Sequence, residues 1–158
     1  QGHSRMKVSQ ILKQKGLESY SVKADQLLTH AVELMTANNV GSVIVISEEG
    51  GLASIVTERD VMYAVRQYQA DLAQVKVSDV MAPELVTCTG EETLEQAMDI
   101  MMNNSTGHRI RHIPVVDNGK FVGVISIGDI VESLLSKAKF ENKLLKSYIK
   151  NWPETEEG

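Results

Sequence analysis

What most narrows the ways this chain can fold is that one sequence unit is written in it twice. The first copy closes on Ser54-Ile55-Val56-Thr57-Glu58-Arg59-Asp60 and the second on Gly123-Val124-Ile125-Ser126-Ile127-Gly128-Asp129. Each therefore ends in a hydroxyl residue followed three places later by aspartate. Upstream, Leu28, Ala31, Val32 and Met35 recur 66 residues on as Leu94, Ala97, Met98 and Met101. Between them, Val43-Ile44-Val45-Ile46-Ser47 answers Ile113-Pro114-Val115-Val116-Asp117. Helix-like and strand-like segments kept in one order mark a tandem repeat of roughly 50–60 residues. A unit that small buries too little apolar surface by itself, so the two copies are expected to pack together about a pseudo-twofold axis.

Within each copy the periodicity reads β-α-β-β-α, a mixed α/β (α+β) unit. A short extended piece opens it, at 20–23 and again at 85–88. An amphipathic helix follows, with its apolar residues at i, i+3, i+4 and i+7. Asp25 is the expected cap of the first such helix, and Thr89 with Glu92 forms a T-x-x-E capping box ahead of the second. Two apolar strands then flank a turn, Glu48-Glu49-Gly50-Gly51 or Asp117-Asn118-Gly119-Lys120, and Asn-Gly is a strong hairpin signal. A closing helix buries Val61, Ala64, Val65 and Tyr68 in one copy and Ile130, Val131, Leu134 and Leu135 in the other. These elements divide the chain into a first repeat with an N-terminal helix (6–68), a polar linker (69–82) and a second repeat (83–137). Residues 138–158 follow as a C-terminal helix and acidic tail. The helix, expected over 140–152, carries Phe140, Leu144, Leu145, Tyr148, Ile149 and Trp152 on a broad apolar face. That face fits either a subunit contact or packing onto its own chain. Gln1-Gly2-His3-Ser4-Arg5 reads as a cloning remnant.

Bulk properties remove several function classes. A net charge of -5 argues against nonspecific nucleic-acid binding, which needs a basic surface to neutralise phosphates. No apolar run approaches the roughly 20 residues that span a bilayer, so no membrane role is expected. Cys88 is the one cysteine, which excludes an internal disulfide and suggests the reducing cytoplasm. A small buried residue describes it better than a reactive thiol. Enzyme signatures are missing: there is no G-x-S-x-G, H-E-x-x-H, Walker loop or G-x-G-x-x-G. The chain reads as one built to bind.

Thr57 and Asp60 fall at a strand-to-helix junction, where two readings apply. In one, they merely start a helix, Thr57 capping an amide and Asp60 complementing the dipole. In the other, the helix end offers N–H groups to phosphate while the carboxylate accepts two vicinal ribose hydroxyls. Ser126 and Asp129 repeat the arrangement. The run His108-Arg109-Ile110-Arg111-His112 is a dense positive patch in an acidic chain, suited to a nearby anion or to a solvated strand edge. Arg59 is a second candidate for phosphate, and its counterpart is Gly128, so the two sites cannot be equivalent. Arg111 and His112 are expected to supply charge near the second hydroxyl-x-x-Asp. His108 and His112 are not read as metal ligands, because strand residues four apart lie about 13 Å from each other with no supporting ligand set.

These residues resemble the tandem cystathionine β-synthase (CBS) domain, or Bateman module, of the small stand-alone bacterial type. Arg111-His112-Ile113-Pro114-Val115-Val116-Asp117 followed by Gly123-Val124-Ile125-Ser126 carries the resemblance best, with Ser54 to Val61 close behind, and it extends over residues 7–137. It implies adenosine-type ligands (AMP, ADP, ATP, NAD or, less favoured, S-adenosylmethionine) held in clefts between the repeats. By that resemblance Asp60 and Asp129 take ribose hydroxyls, and Thr57 and Ser126 meet ribose or phosphate. Val22, Lys23, Thr87 and Cys88 line the adenine through backbone groups, with Ser42, Val43, His112, Ile113 and Pro114 completing the walls. Arg59, Arg111 and Arg109 neutralise phosphate. The departures are Ser54 where the family has glycine, and Ile44 where the second copy has Pro114. The expected protein is a homodimeric sensor acting on an unidentified regulated protein, and no enzyme. A protein-interaction subunit with secondary or absent nucleotide binding is the alternative. An inserted module of an enzyme such as IMP dehydrogenase is not expected, since a barrel of about 250 residues does not fit in 158.

Overall fold

Apolar residues at two periodicities build two mixed layers in the computed structural model, which describes residues 6–15 and 19–150, with backbone alone for 148–150. The elements are α1 (Val8–Lys15), β1 (Ser21–Lys23), α2 (Leu28–Asn38), β2 (Ser42–Ile46), β3 (Leu52–Thr57) and α3 (Glu58–Tyr68). A 3-10 turn (Gln69–Gln74) leads to α4 (Val77–Val80), α5 (Leu94–Met102), β4 (His112–Asp117), β5 (Lys120–Ser126) and α6 (Ile127–Lys150). The expected remnant at 1–5, Trp152 and the acidic tail lie outside the described residues. Among those described, no helix is long and apolar enough to cross a membrane.

The repeat is visible down to its irregularities. In the first copy β1 pairs parallel with β2, and β2 antiparallel with β3. In the second, β4 and β5 form the same hairpin, and Cys88 bridges in parallel to Val115. A register shift falls at Val45/Ile46 in one hairpin and at Val115/Val116 in the other. The left-handed φ of Asn118 and Gly119 (52° and 77°) closes the second hairpin, as the Asn-Gly pair predicts. The extended piece at 85–88 contracts to that one-residue bridge, and Val86 lines a cleft.

Two caps differ from expectation. Helix α2 starts after Leu27, with no side-chain cap, and the Leu28 amide donates to the carbonyl of Val75 at 2.8 Å. Helix α5 is capped by Thr93, whose hydroxyl accepts from the Gln96 amide while its own amide donates to the Gln96 side chain. Thr89 and Glu92 form the turn just before it. Two successive T-x-x-[E/Q] signals, at 89–92 and 93–96, compete there, and the helix starts at the later one, where the Leu94 amide also donates to the carbonyl of Met6.

Those two donations reveal an exchange between the halves. Lys7 bridges Thr93 and Lys76 bridges Leu27, both antiparallel, so residues 6–8 and 75–77 play the same role on opposite repeats. Helix α1, which precedes the first repeat in sequence, buries Val8, Ile11 and Leu12 in the core of the second, against Leu94, Met101, Ile113 and Ile125. The linker instead buries Val75 and Val77 in the core of the first, against Leu28, Met35, Val43 and Val56. Each half is completed by chain from outside its repeat.

The closing helices bury less than their stripes suggest. Ala64 and Ile130 are buried, while Val65, Val131 and Leu135 are about half exposed. No break separates the second repeat from a C-terminal helix, since α6 runs unbroken through 137/138. Phe140, Leu144 and Leu145 on it are exposed.

Candidate functional site

Each closing helix begins at the end of a strand, and its start fixes a carboxylate. The Thr57 amide donates to Oδ2 of Asp60 at 2.8 Å, and the Thr57 hydroxyl donates to the same oxygen. Ser126 repeats the amide bond to Asp129 at 2.8 Å, while its hydroxyl accepts from the Asp129 amide. The first helical amides, of Glu58 and Ile127, donate to the carbonyls of Gly41 and Arg111, just before β2 and β4. Both motifs therefore start a helix, Ser126 capping an amide while the Thr57 hydroxyl donates to Asp60 instead, and each start orients its aspartate.

Around Asp60 lies a cavity of about 670 Å³, within the size range of small-ligand sites. The first repeat lines it with Thr57, Arg59, Asp60, Tyr63 and Arg66, the linker with Ala82, and the second repeat with Pro83, Glu84, Val86 and residues 105–112 except Gly107. The whole basic run 108–112 thus faces the first hydroxyl-x-x-Asp. Arg111 was expected near the second one; it lines the first because the segment before β4 crosses to the other repeat. Arg59 is tied down from both sides: its guanidinium donates to the Arg109 carbonyl at 3.3 Å and to the Tyr63 hydroxyl at 3.4 Å, and stands 5.5 Å from that ring's centre. Planar guanidinium groups held this way present fixed donors to phosphate. Burial pushes the Asp60 carboxyl above the ordinary aspartate range, outweighing the Thr57 hydrogen bonds and the nearby Arg59 and His108.

His112 stands between this cavity and a second one, lining both. Gly41 makes room for it: a Cβ there would lie 2.9 Å from His112 Nε2. The buried Nδ1 has no hydrogen-bond partner among the described residues, and burial pulls the imidazole below its ordinary range.

The second cavity is about 240 Å³ and is lined by Tyr20, residues 39–42, Ile44, His112, Val124 and Ser126. Lys15 also lines it, whereas Asp129 does not. The Lys15 ammonium lies 2.7 Å from Oδ2 of Asp129 and donates to the Val124 carbonyl at 3.0 Å. Burial alone would raise the Asp129 carboxyl; the Lys15 ammonium and the Ser126 amide outweigh it and hold it below the ordinary range. A wider groove of about 630 Å³ between α1 and α6 shares both Lys15 and Asp129.

The remaining expected wall residues sit elsewhere. Val22 and Cys88 are buried in the two cores, and the Cys88 amide and carbonyl are spent on Pro114 and Val116. Lys23 and Thr87 are exposed and line none of these cavities. Tyr20 and Val86, two residues before Val22 and Cys88, line the clefts instead. Val43, Ile113 and Pro114 are buried in strands, while Ser42 and His112 do line the second cavity. Burial, helped by Glu92 and Asp117, pushes the Cys88 thiol up to about 12, consistent with an inert core residue. Lys15, Glu84 and Arg66 carried no sequence signal.

A family model described as CBS domain matches residues 9–67 and again 77–136. The chain is 33% identical over 156 residues to the CBS domain-containing protein CBSX3, mitochondrial, of Arabidopsis thaliana, covering 94% of this chain and 74% of that one. The solved CBS-domain containing protein ATU1752 of Agrobacterium tumefaciens superposes with a TM-score of 0.74 at 36% identity, covering 82% of this chain and 94% of its own. The CBS domain pair of protein MJ0100, solved with 5-methylthioadenosine and S-adenosyl-L-methionine, shares the fold at a TM-score of 0.70 and 21% identity, with 84% and 98% coverage.

Proposed function

The chain belongs to the CBS-domain family, with the domain present twice, and from that premise we propose that it is a regulatory module binding an adenine nucleotide in the first cleft. The observation that carries this reading is the meeting of Asp60, from one repeat, with the basic run 108–112 of the other across a single cavity. A nucleotide has that same polarity, hydroxyl donors on its ribose and anionic acceptors on its phosphates. AMP, ADP, ATP and NAD fit the cluster of arginines; the cationic sulfonium of S-adenosylmethionine fits it less well, although MJ0100 is described in complex with that compound. A ligand held by both repeats favours one arrangement of the pair over others, and only such differential affinity can pass its presence to a partner protein. The lone Cys88 suits a reducing cytoplasm, though the relative CBSX3 is called mitochondrial.

Asp60→Ala removes the ribose acceptor. A hydrogen bond to a charged group contributes about 1.5–3 kcal/mol, and about 1.4 kcal/mol is tenfold. Calorimetric titration with AMP is expected to show about a ten- to hundredfold loss. An unchanged affinity in a folded variant defeats the ribose assignment.

The same module is proposed to work as a homodimer. Met62 and Val65 on α3, with Val131, Leu135, Phe140, Leu144 and Leu145 on α6, are exposed apolar side chains, and apolar surface gathered on a helix in this way marks interaction sites. A dimer burying about 1,200–2,000 Å² doubles the mass seen by light scattering at micromolar concentration. A monomer mass rules it out, and a dimer retained without residues 140–158 removes the helix end from the interface. Should the purified protein carry a tight protein partner and no nucleotide, that apolar face makes protein interaction the primary role.

A further inference from the structure

We propose that Lys15 is a built-in plug of the second cleft, so that the resting protein admits a nucleoside at Asp60 alone and exposes an equivalent site at Asp129 only when the Lys15 ammonium is removed. The proposal rests on the nucleotide reading of the first cleft and adds a rule for the second.

The paired bridges set the register between the halves: Lys7 stands where Lys76 does, and Val8 where Val77 does. Both segments then run toward the clefts, but they end differently. The linker stops its helix at Val80, and Ala82 donates its amide to the Ile55 carbonyl at 3.1 Å. Helix α1 continues to Lys15. The carbonyl equivalent to that of Ile55 belongs to Val124, and Lys15 Nζ is what satisfies it. One residue explains each outcome. Buried Ser54 holds the linker with a 2.6 Å hydrogen bond from its hydroxyl to the Ala82 carbonyl. Gly123 occupies the matching place in β5, and Leu12 packs where a side chain would be: a Cβ there would lie 2.9 Å from Leu12 Cδ2.

The consequence for the aspartates is opposite. Asp60 lines the first cavity and, among the described residues, pairs with no cation. Asp129 does not line the second cavity but the wider groove between α1 and α6, and Lys15 lines both. The space left, about 240 Å³, is below the range of small-ligand pockets. Beyond Lys15 itself, phosphate has little to gain there, since residues 39–42 (Asn-Val-Gly-Ser) stand where the first cleft has its basic run. A nucleoside entering this cleft must displace a charged partner from the very group it needs.

Adenosine is the suitable probe, because it carries the ribose but no phosphate. Titrated calorimetrically into the full chain, it is expected to fill one site in the wild type and two in Lys15→Met, which keeps the aliphatic stem and removes the charge. Adding Asp129→Ala to Lys15→Met returns the count to one and assigns the new site. Two sites in the wild type, or one in Lys15→Met, overturns the plug while leaving the nucleotide reading intact. Failure of both adenosine and AMP to bind either protein overturns the nucleotide reading together with the plug built on it.

Discussion

At the same step of the fold the first repeat uses a backbone amide and the second a lysine side chain. Ala82 satisfies Ile55, and Lys15 satisfies Val124. This small substitution decides what each cleft can do, because the amide leaves Asp60 open and the ammonium covers Asp129. The comparison teaches that duplicated motifs do not make duplicated sites. Thr57-x-x-Asp60 and Ser126-x-x-Asp129 build the same helix start, and chain from outside each repeat sets the difference between them. The charge asymmetry runs the same way, with the basic run 108–112 facing Asp60 and the uncharged run 39–42 facing Ser126.

Exchanging the two residues that seat the incoming segments is the strongest way to break this comparison. Gly123→Ser puts a side chain where Leu12 packs, and overfilling a packed core costs about 1–3 kcal/mol. Urea denaturation is expected to report that loss, and the dislodged end of α1 should carry Lys15 away from Asp129. Ser54→Ala is milder. It removes one hydrogen bond to the Ala82 carbonyl, a contribution of about 0.5–1.5 kcal/mol, and leaves the second cleft as it was. A larger loss for Ser54→Ala than for Gly123→Ser would show that the linker, and not α1, is the more tightly seated segment.

Much of the fold was legible because it is local. Leu28, Ala31 and Met35, and their counterparts Leu94, Ala97 and Met101, are buried as their helical spacing requires. The hairpins follow from Asn118-Gly119 and from the β-branched runs. The aspartates and the basic run stood out because repetition and charge density are properties of the sequence itself. What stayed hidden depends on pairing between distant segments. Lys15 and Asp129 are 114 residues apart, and no periodicity connects them. The exchange of α1 and the linker between the cores rests on hydrogen bonds of Leu28 to Val75 and of Leu94 to Met6, which leave no mark on composition. Caps were misplaced for the same reason: Asp25 and Thr89 are good local signals, and tertiary bonds moved the helix starts past them. Assigning Arg111 to the wrong cleft has that origin too, since the repeat pattern cannot say which copy a crossing segment will face.

The finest test of the comparison lies in how the two aspartates titrate. Asp60 is raised by burial, and Asp129 is lowered because Lys15 and Ser126 outweigh burial. In the window between the ordinary aspartate value and the raised value of Asp60, the folded chain binds more protons there than the unfolded one. The stability contributed by Asp60 therefore falls as pH rises through that window. For Asp129 the unfolded chain binds more protons between the lowered and the ordinary value. Its contribution is complete above the ordinary value and is lost as pH falls through the lowered one. Carboxyl-carbon NMR titration of the two residues should find Asp60 ionising at higher pH than Asp129. Lys15→Met is expected to raise Asp129 toward Asp60 and to leave Asp60 in place. The effect is small: the pair is partly open, with side chains 38% and 23% exposed, and ion pairs of that kind contribute about 0.2–1 kcal/mol. Salt should weaken it further, so raising ionic strength is expected to shift Asp129 upward. Two aspartates titrating at one pH, or an Asp129 indifferent to Lys15→Met, would mean that the ammonium does not rest on the carboxylate in solution, and the clefts would then differ in Arg59, the basic run and their size, but not in the pairing of their aspartates.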